Sequence, residues 1–181
     1  MLDQESQESG ELCEPLVNAE PCTITFEVFD GQIDPCFASG DEGLDNFYHL
    51  HLVEQSRLNL MKGYVLKTNG GETVGYATLT ASAVHRDLFE DIFEYLNVPV
   101  FLIGRLAVDE SYQAQGLGSL LVGHIMTIAE QARGVVGSKG VFVDALPQAV
   151  AFYEKLGFRQ LKLRKKKNTI PMFIAFPDRE E

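Results

Sequence analysis

The alternation of hydrophobic and polar residues predicts that the first half of the chain forms mostly β-structure. Residues 22–29 alternate and are rich in β-branched and aromatic side chains, which is typical of a strand. Residues 64–66 and 73–80 flank an Asn69-Gly70 turn, a strong local signal for a β-hairpin. We therefore expect a strand followed, after a helical segment, by a hairpin.

Two segments have apolar residues at helical spacing. Residues 43–57 follow Asp41, a residue type that caps helix N-termini. Residues 83–96 place Leu88, Ile92 and Leu96 four apart, and the segment ends at a proline. Both segments are predicted to be amphipathic helices.

The second half of the chain alternates strands and helices. Residues 100–108 are nearly all apolar, as expected for a central strand that is buried on both faces. A glycine-containing turn then leads into a helix over 116–133. The remaining predicted elements are a strand at 141–145, a helix at 147–156, and closing strands at 158–163 and 169–176. The order predicts a mixed α/β fold, with hairpins early and βαβ connections later.

The length of 181 residues suits one domain. Residues 22–177 are predicted to form it, after a polar leader at 1–21 and before a short tail at 178–181. No apolar run reaches the roughly 18 residues of a membrane span, and no secretory signal is recognised. Cys13, Cys22 and Cys36 lack metal-site spacing, so reduced thiols in a cytoplasmic protein are expected.

The net charge of −11 is distributed unevenly along the chain. Residues 1–56 contain 13 acidic residues and no Lys or Arg, whereas residues 57–181 contain 13 acidic and 15 basic residues, a balance of +2. Six bases fall within 159–167. This stretch is either a solvated hairpin tip or a phosphate-binding strip, so the acidic overall charge does not exclude a polyanionic partner.

The turn between the buried strand and the long helix is the most informative segment for chemistry. Its sequence is Gln113-Ala114-Gln115-Gly116-Leu117-Gly118. Glycines allow close approach of the backbone to a ligand, and the free N–H groups of a helix N-terminus attract a pyrophosphate. No Lys-Ser/Thr pair follows, so the turn is not a nucleotide-binding P-loop. The alternative is a packing turn.

Two motifs give the chain a resemblance to the GNAT family of acyl-CoA N-acyltransferases. Gln113, Gly116 and Gly118 match the family's Gln/Arg-x-x-Gly-x-Gly/Ala turn, and residues 149–158 resemble its Ala-x-x-Phe-Tyr-x-x-x-Gly-Phe segment. The match covers roughly residues 22–177. It implies the GNAT fold, a central mixed twisted sheet flanked by helices, with acetyl-CoA as co-substrate and no metal.

The resemblance also implies roles for individual residues. The backbone of Leu106, Ala107 and Val108 would pair with the pantetheine arm of the coenzyme. The turn that would hold the pyrophosphate comprises Gln113, Ala114, Gln115, Gly116, Leu117, Gly118 and Ser119. Tyr153 matches the family tyrosine whose hydroxyl lies near the thioester sulfur. Leu146 stands where many members have Asn, which brings into question one side-chain contact to the coenzyme but not the main-chain contacts.

Acetyl transfer needs a neutral amine, donors for the developing oxyanion and a proton for the leaving thiolate. Backbone N–H groups near Val108 are candidates for the oxyanion, and Tyr153 is the candidate proton donor. The alternative for Tyr153 is a core tyrosine. The only nearby acid is Asp144, either a general base or a hydrogen-bonded structural residue. Without a strong base, an α-amine with a pKa near 8 is a better acceptor than lysine at about 10.4.

Within the family, the chain most resembles the GNAT toxins of bacterial toxin–antitoxin pairs. The resemblance rests on residues 99–109 and 112–118, the helix beginning at Leu44, and Ser56-Arg57. It implies aminoacyl-tRNA as acceptor, a small DNA-binding antitoxin as partner, and a homodimer. Arg164, Lys165, Lys166 and Lys167 would then contact tRNA phosphates. The alternatives are acetylation of a small-molecule or protein amine, and a non-catalytic acyl-CoA-binding module.

Overall fold

A computed structural model describes residues 23–89, 93–162 and 168–177. The predicted leader, the tail and the basic residues Arg164 to Lys167 lie outside this range. Seven strands form one sheet: β1 (Ile24–Val28), β2 (Lys62–Thr68), β3 (Thr73–His85), β4 (Asn97–Val108), β5 (Gly140–Ala145), β6 (Arg159–Gln160) and β7 (Ile170–Ala175). Their spatial order is β1-β2-β3-β4-β5-β7-β6, and only β4 and β5 are parallel neighbours. The predicted mixed α/β fold and its central sheet are confirmed.

In the described residues, four α-helices flank the sheet: α1 (Glu42–Leu50), α2 (Leu52–Arg57), α3 (Leu117–Ala132) and α4 (Val150–Lys155). The predicted helix over 43–57 is therefore two helices, separated at His51. Asp41 caps α1 as predicted, because its carboxylate accepts the Leu44 N–H at 3.0 Å. Of the helices in the described part of the chain, none combines the length and apolar character that a bilayer span requires.

The helix predicted over 83–96 is wrong. Strand β3 continues to His85, a short 3₁₀ helix spans Arg86–Phe89, and β4 begins at Asn97. Residues 83–85 pair with 97–99, so an antiparallel ladder satisfies the backbone groups that a helix would have used. The four-residue spacing does not mark one buried face: Leu88 is buried, whereas Leu96 is largely exposed.

Hydrophobic side chains cover both faces of the sheet. On one face α3 packs against β3, β4 and β5, with Leu121, Ile125 and Ala129 fully buried. On the other face α1 and α2 bury Tyr48 and Leu52 against Tyr76 of β3 and its neighbours. Strand β4 is thus enclosed between two layers, which explains its nearly continuous apolar sequence.

The parallel strands β4 and β5 separate after three residue pairs. They pair at Phe101 to Ile103, after which β4 continues along β3 while β5 remains paired with β7. A bulge occurs at this point, because Leu79 pairs with Ile103 whereas Thr78 pairs with Arg105. Gly104, the extra residue, approaches Thr78 so closely that an added Cβ would lie 3.1 Å from the threonine hydroxyl. The separation opens a cleft in the middle of the sheet.

Candidate active site

The separation of β4 from β5 creates a cleft of about 500 Å³, hereafter the transfer cleft. The start of α1 and the beginning of α4 complete its walls. A second cleft of about 460 Å³, the turn cleft, extends along the end of β4 to the N-terminus of α3. Both clefts are lined by Asp41, Leu44, Leu106 and Ala149. An elongated ligand can therefore lie along β4 and reach both.

The predicted pantetheine-binding residues lie along the open side of β4. Leu106, Ala107 and Val108 pair with β3 on one side only, since the described ladder between β4 and β5 ends at Ile103. All three residues line the turn cleft. The backbone there has the geometry of a strand edge, to which an amide-containing arm adds by main-chain hydrogen bonds.

The glycine-containing turn delivers helix N–H groups to the turn cleft. Gly116 caps α3 with a φ of 83°, a left-handed conformation that glycine adopts without a Cβ penalty. The first helical hydrogen bond joins the Leu120 N–H to the Gly116 carbonyl. The amides of Leu117 to Ser119 therefore precede the helical ladder, and these residues line the cleft. This arrangement suits a pyrophosphate.

The two sequence motifs contact each other in the folded protein. An added Cβ at Gly118 would lie 3.3 Å from the ring of Phe152, so glycine lets α3 approach α4 closely. Phe152 in turn stacks edge-on against Tyr153, with ring centroids 5.0 Å apart. The second glycine of the turn thus helps to place the predicted tyrosine.

Gln113 holds the turn to its surroundings through its side chain. Its Nε2 donates to the Val108 carbonyl at 3.0 Å and to the Ser39 carbonyl at 2.9 Å. A second link fixes the same segment, because the Ala38 N–H donates to the Asp109 carboxylate at 3.0 Å. Sequence reasoning did not identify this connection, which joins residues more than seventy positions apart and leaves no local pattern.

Tyr153, the predicted proton donor, lies on the wall of the transfer cleft. Only 5% of its surface is exposed, and the rings of Phe152 and Phe158 flank it at 5.0 and 5.3 Å. Burial raises the pKa of its phenol well above 10, because the phenolate form would be poorly solvated. The hydroxyl therefore retains its proton at physiological pH and remains a donor.

Three charged side chains are among the described residues that line the transfer cleft. Asp144 lies near the end of β5, and Asp41 is the N-cap residue of α1. The expectation that Asp144 is the only nearby acid is wrong, because Asp41 also lines the cleft. The sequence does not show this, since α1 is brought beside β4 by contacts between residues that are distant in sequence. Arg105 of β4 supplies the positive charge. Leu146, which replaces the family Asn, also lines this cleft and is partly exposed.

Comparison with known proteins identifies the family to which the chain belongs. A profile described as an acetyltransferase (GNAT) domain matches residues 61–160, more than half of the chain. The chain therefore belongs to the GNAT family, and it is an acetyltransferase that uses acetyl-CoA. Its fold and the predicted resemblance are confirmed.

The relatives of the chain include bacterial toxins. The tRNA-acetylating toxin of Mycobacterium tuberculosis is 30% identical over 125 residues, which cover 67% of this chain and 75% of the relative. AtaT complexed with acetyl-methionyl-tRNAfMet matches with a TM-score of 0.75 at 34% identity, over 84% of this chain and 95% of that chain. A tyrosine-to-phenylalanine mutant of AtaT, bound to the C-terminus of the antitoxin AtaR and acetyl-CoA, matches with a TM-score of 0.71 at 34% identity, over 84% and 92%.

Proposed function

We propose that the protein transfers the acetyl group of acetyl-CoA to the α-amine of aminoacyl-tRNA. The observation that carries the proposal is the junction of two clefts along β4, with the amides of the α3 N-terminus at one end and the Tyr153 phenol at the other. One end matches a pyrophosphate and the other a thiolate leaving group. The relatives that acetylate or bind charged tRNA supply the acceptor.

The residues of the cleft divide the work of the reaction. The backbone of Leu106 to Val108 holds the pantetheine arm, and the residues from Gln113 to Ser119 hold the pyrophosphate. Acetyl-CoA supplies an activated thioester. A backbone N–H of β4 between Leu106, which lines both clefts, and Val108 stabilises the oxyanion that develops as the amine nitrogen attacks the carbonyl carbon. Tyr153 then donates its proton to the departing sulfur as the carbon–sulfur bond breaks.

The acceptor amine must lose a proton before or after it attacks. An α-amine has a pKa near 8 and is partly neutral at physiological pH, so it needs less help from a base than lysine does. Asp41 and Asp144 line the same cleft, where carboxylates attract an ammonium group and receive its proton through water. This charge arrangement favours an amine over a hydroxyl acceptor.

The proposed function also involves the domain as a whole, a basic segment and partner molecules. Residues 22–177 would form the single catalytic domain, between the leader and the tail. Arg164 to Lys167 would bind tRNA phosphates. Thr169, which follows this stretch closely in sequence, lines the transfer cleft, and Asn168 and Thr169 line an adjoining pocket. The resemblance to GNAT toxins also supports a small DNA-binding antitoxin as partner, a homodimeric state and a cytoplasmic location as parts of the proposal. AtaT binds an antitoxin, AtaR, in its solved complex.

The direct test uses purified protein, acetyl-CoA labelled in the acetyl group, and tRNA with or without an attached amino acid. We expect label in the charged tRNA and none in uncharged tRNA, and mild alkali should release it as an N-acetyl amino acid. Label in a panel of small amines or peptides but not in charged tRNA would show that the acceptor is a small-molecule or protein amine instead of aminoacyl-tRNA. No transfer to any amine, with coenzyme A still bound, would indicate a binding module.

A further inference from the structure

A third groove lies beside the transfer cleft, on the α1 and α2 side of the sheet. It has a volume of about 340 Å³ and is hereafter the side groove. Its floor is formed by β3 and β4, and its wall by α1 and α2. Gly104 and Arg105 line both this groove and the transfer cleft, so the two meet at the bulge of β4.

Arg105 presents a flat charged surface at this junction. Its guanidinium lies over the ring of Phe47, with the carbon 4.9 Å from the ring centroid. The Nη1 group donates to the Gly104 carbonyl at 2.7 Å, which fixes the orientation of the plane. Phe47 is buried beneath, whereas Arg105 is exposed. The outer face of the guanidinium is thus available for stacking.

The charge of the side groove differs from that of the clefts beside it. The transfer and turn clefts both include acidic residues, with Asp41 common to the two. The nine described residues that line the side groove include no Asp or Glu, and Arg105 is their one permanent positive charge. His51 and Gln55 add ring nitrogens and an amide that can hydrogen-bond to the edge of a base.

We propose that the side groove binds the 3′-terminal adenosine of the charged tRNA, with the base stacked on the Arg105 guanidinium. Unstacked RNA bases are commonly held against arginine planes and aromatic rings. The amino acid is esterified to the ribose of this same nucleoside. A base in the side groove therefore leaves the α-amine in the adjoining transfer cleft. The inference rests on the proposed function and adds a nucleoside subsite to it.

The experiment compares two acceptors that differ only in the nucleoside. One is an adenosine that carries methionine through a stable 3′-amide link, and the other is methionine N-methylamide, which keeps the amide and lacks the nucleoside. Neither contains a phosphate, so contacts to phosphates do not contribute. We expect wild-type protein to show a higher kcat/KM for the adenosine compound, and Arg105→Met to reduce that advantage about tenfold, the range for loss of one stacked base.

Two further variants separate stacking from charge and from general effects. Arg105→Lys keeps the charge but loses the plane, so it should reduce the advantage as Arg105→Met does. Arg57→Met is the control, because Arg57 is an exposed arginine on α2 paired with Glu54 and does not line the described groove. Calorimetry with the unreactive N-acetylated adenosine compound should show the same order of binding, independently of turnover.

Three outcomes would overturn the inference. The first is equal use of the two acceptors by wild-type protein. The second is a full adenosine advantage in Arg105→Lys, which would leave charge alone as the cause. The third is a changed preference among amino acids in Arg105→Met with the adenosine advantage intact, which would make the groove a side-chain pocket. If charged tRNA is acetylated in these cases, the proposed function stands and only the nucleoside subsite is lost.

Discussion

The chemistry proposed at Tyr153 depends on the surroundings of one hydroxyl group. The phenol is almost entirely buried between two aromatic rings, and burial raises its pKa. A neutral phenol in a dry wall is a hydrogen-bond donor that stays protonated over the working pH range. In the proposed reaction, the phenol contributes the proton that it gives to the thiolate and does not contribute to coenzyme binding.

Tyr153→Phe removes only the hydroxyl oxygen and keeps the ring in the core. We expect kcat to fall by about 10²-fold or more, as for loss of a general acid, while the dissociation constant for coenzyme A changes less than about threefold. Steady-state kinetics and calorimetry measure the two effects. Tyr95→Phe, at a highly exposed tyrosine, is the control. Unchanged kcat in Tyr153→Phe would assign proton transfer to another group.

Gln113 is positioned to support the proposed coenzyme site through its hydrogen bonds to the backbone. Replacing it with Met removes both Nε2 hydrogen bonds, to Val108 and to Ser39, without adding charge. We expect the KM for acetyl-CoA to rise about fivefold, because the turn loses its connection to β4. The control is Gln131→Met on the exposed face of α3. Equal KM values in the two variants would show that the backbone alone fixes the turn.

At the scale of elements, the contact between α3 and α4 aligns the two halves of the site. Gly118 lies against Phe152. Gly123 is on the same helix, but a Cβ added there would meet no atom within 4 Å. Comparing valine at the two positions therefore separates a packing effect from the change in helix propensity that accompanies any Gly-to-Val substitution. A side chain at Gly118 requires the Phe152 ring to shift by a few tenths of an ångström, whereas one at Gly123 requires no shift.

Gly118→Val is expected to reduce the free energy of unfolding by about 1–3 kcal/mol more than Gly123→Val does, through overpacking against Phe152. Urea denaturation of both variants measures the difference. The first variant should also weaken coenzyme binding, because the amides of α3 move relative to β4. Equal stability and equal coenzyme affinity in the two variants would contradict the role of the close approach.

The sequence predicts some elements well because their signals are local. The hairpin at Asn69-Gly70, the cap at Asp41 and the turn at Gly116 each depend on a few neighbouring residues, and all three are present. The helix prediction over 83–96 is wrong because apolar residues four apart fit a helix, whereas strand pairing decides the structure at both ends of this segment. Neither the bulge at Gly104 nor the placement of Arg105 over Phe47 has a local signature.

At the scale of the whole molecule, buried tyrosines link stability to alkaline pH. Burial raises the pKa values of Tyr48, Tyr64, Tyr76 and Tyr153, with the largest shifts at Tyr76 and Tyr153. The folded protein therefore keeps phenolic protons that the unfolded chain releases near pH 10. The stabilisation is fully present below that pH and is lost as the pH rises through the folded pKa values.

We expect the free energy of unfolding to fall steeply above pH 10, by the equivalent of about two protons per molecule from Tyr76 and Tyr153. Urea denaturation at a series of pH values measures the slope, and ultraviolet absorbance counts the phenolates. Most phenolates should appear only as the protein unfolds. Full ionisation near pH 10 with the native circular dichroism intact would contradict the burial of these rings.

A crystal structure of the protein with coenzyme A is the measurement that tests the central claim most directly. The account predicts the pantetheine arm along Leu106 to Val108, the pyrophosphate on the amides from Ala114 to Ser119, and the sulfur within hydrogen-bonding distance of the Tyr153 hydroxyl. Coenzyme bound elsewhere, or a sulfur remote from Tyr153 in the divided sheet, would contradict it.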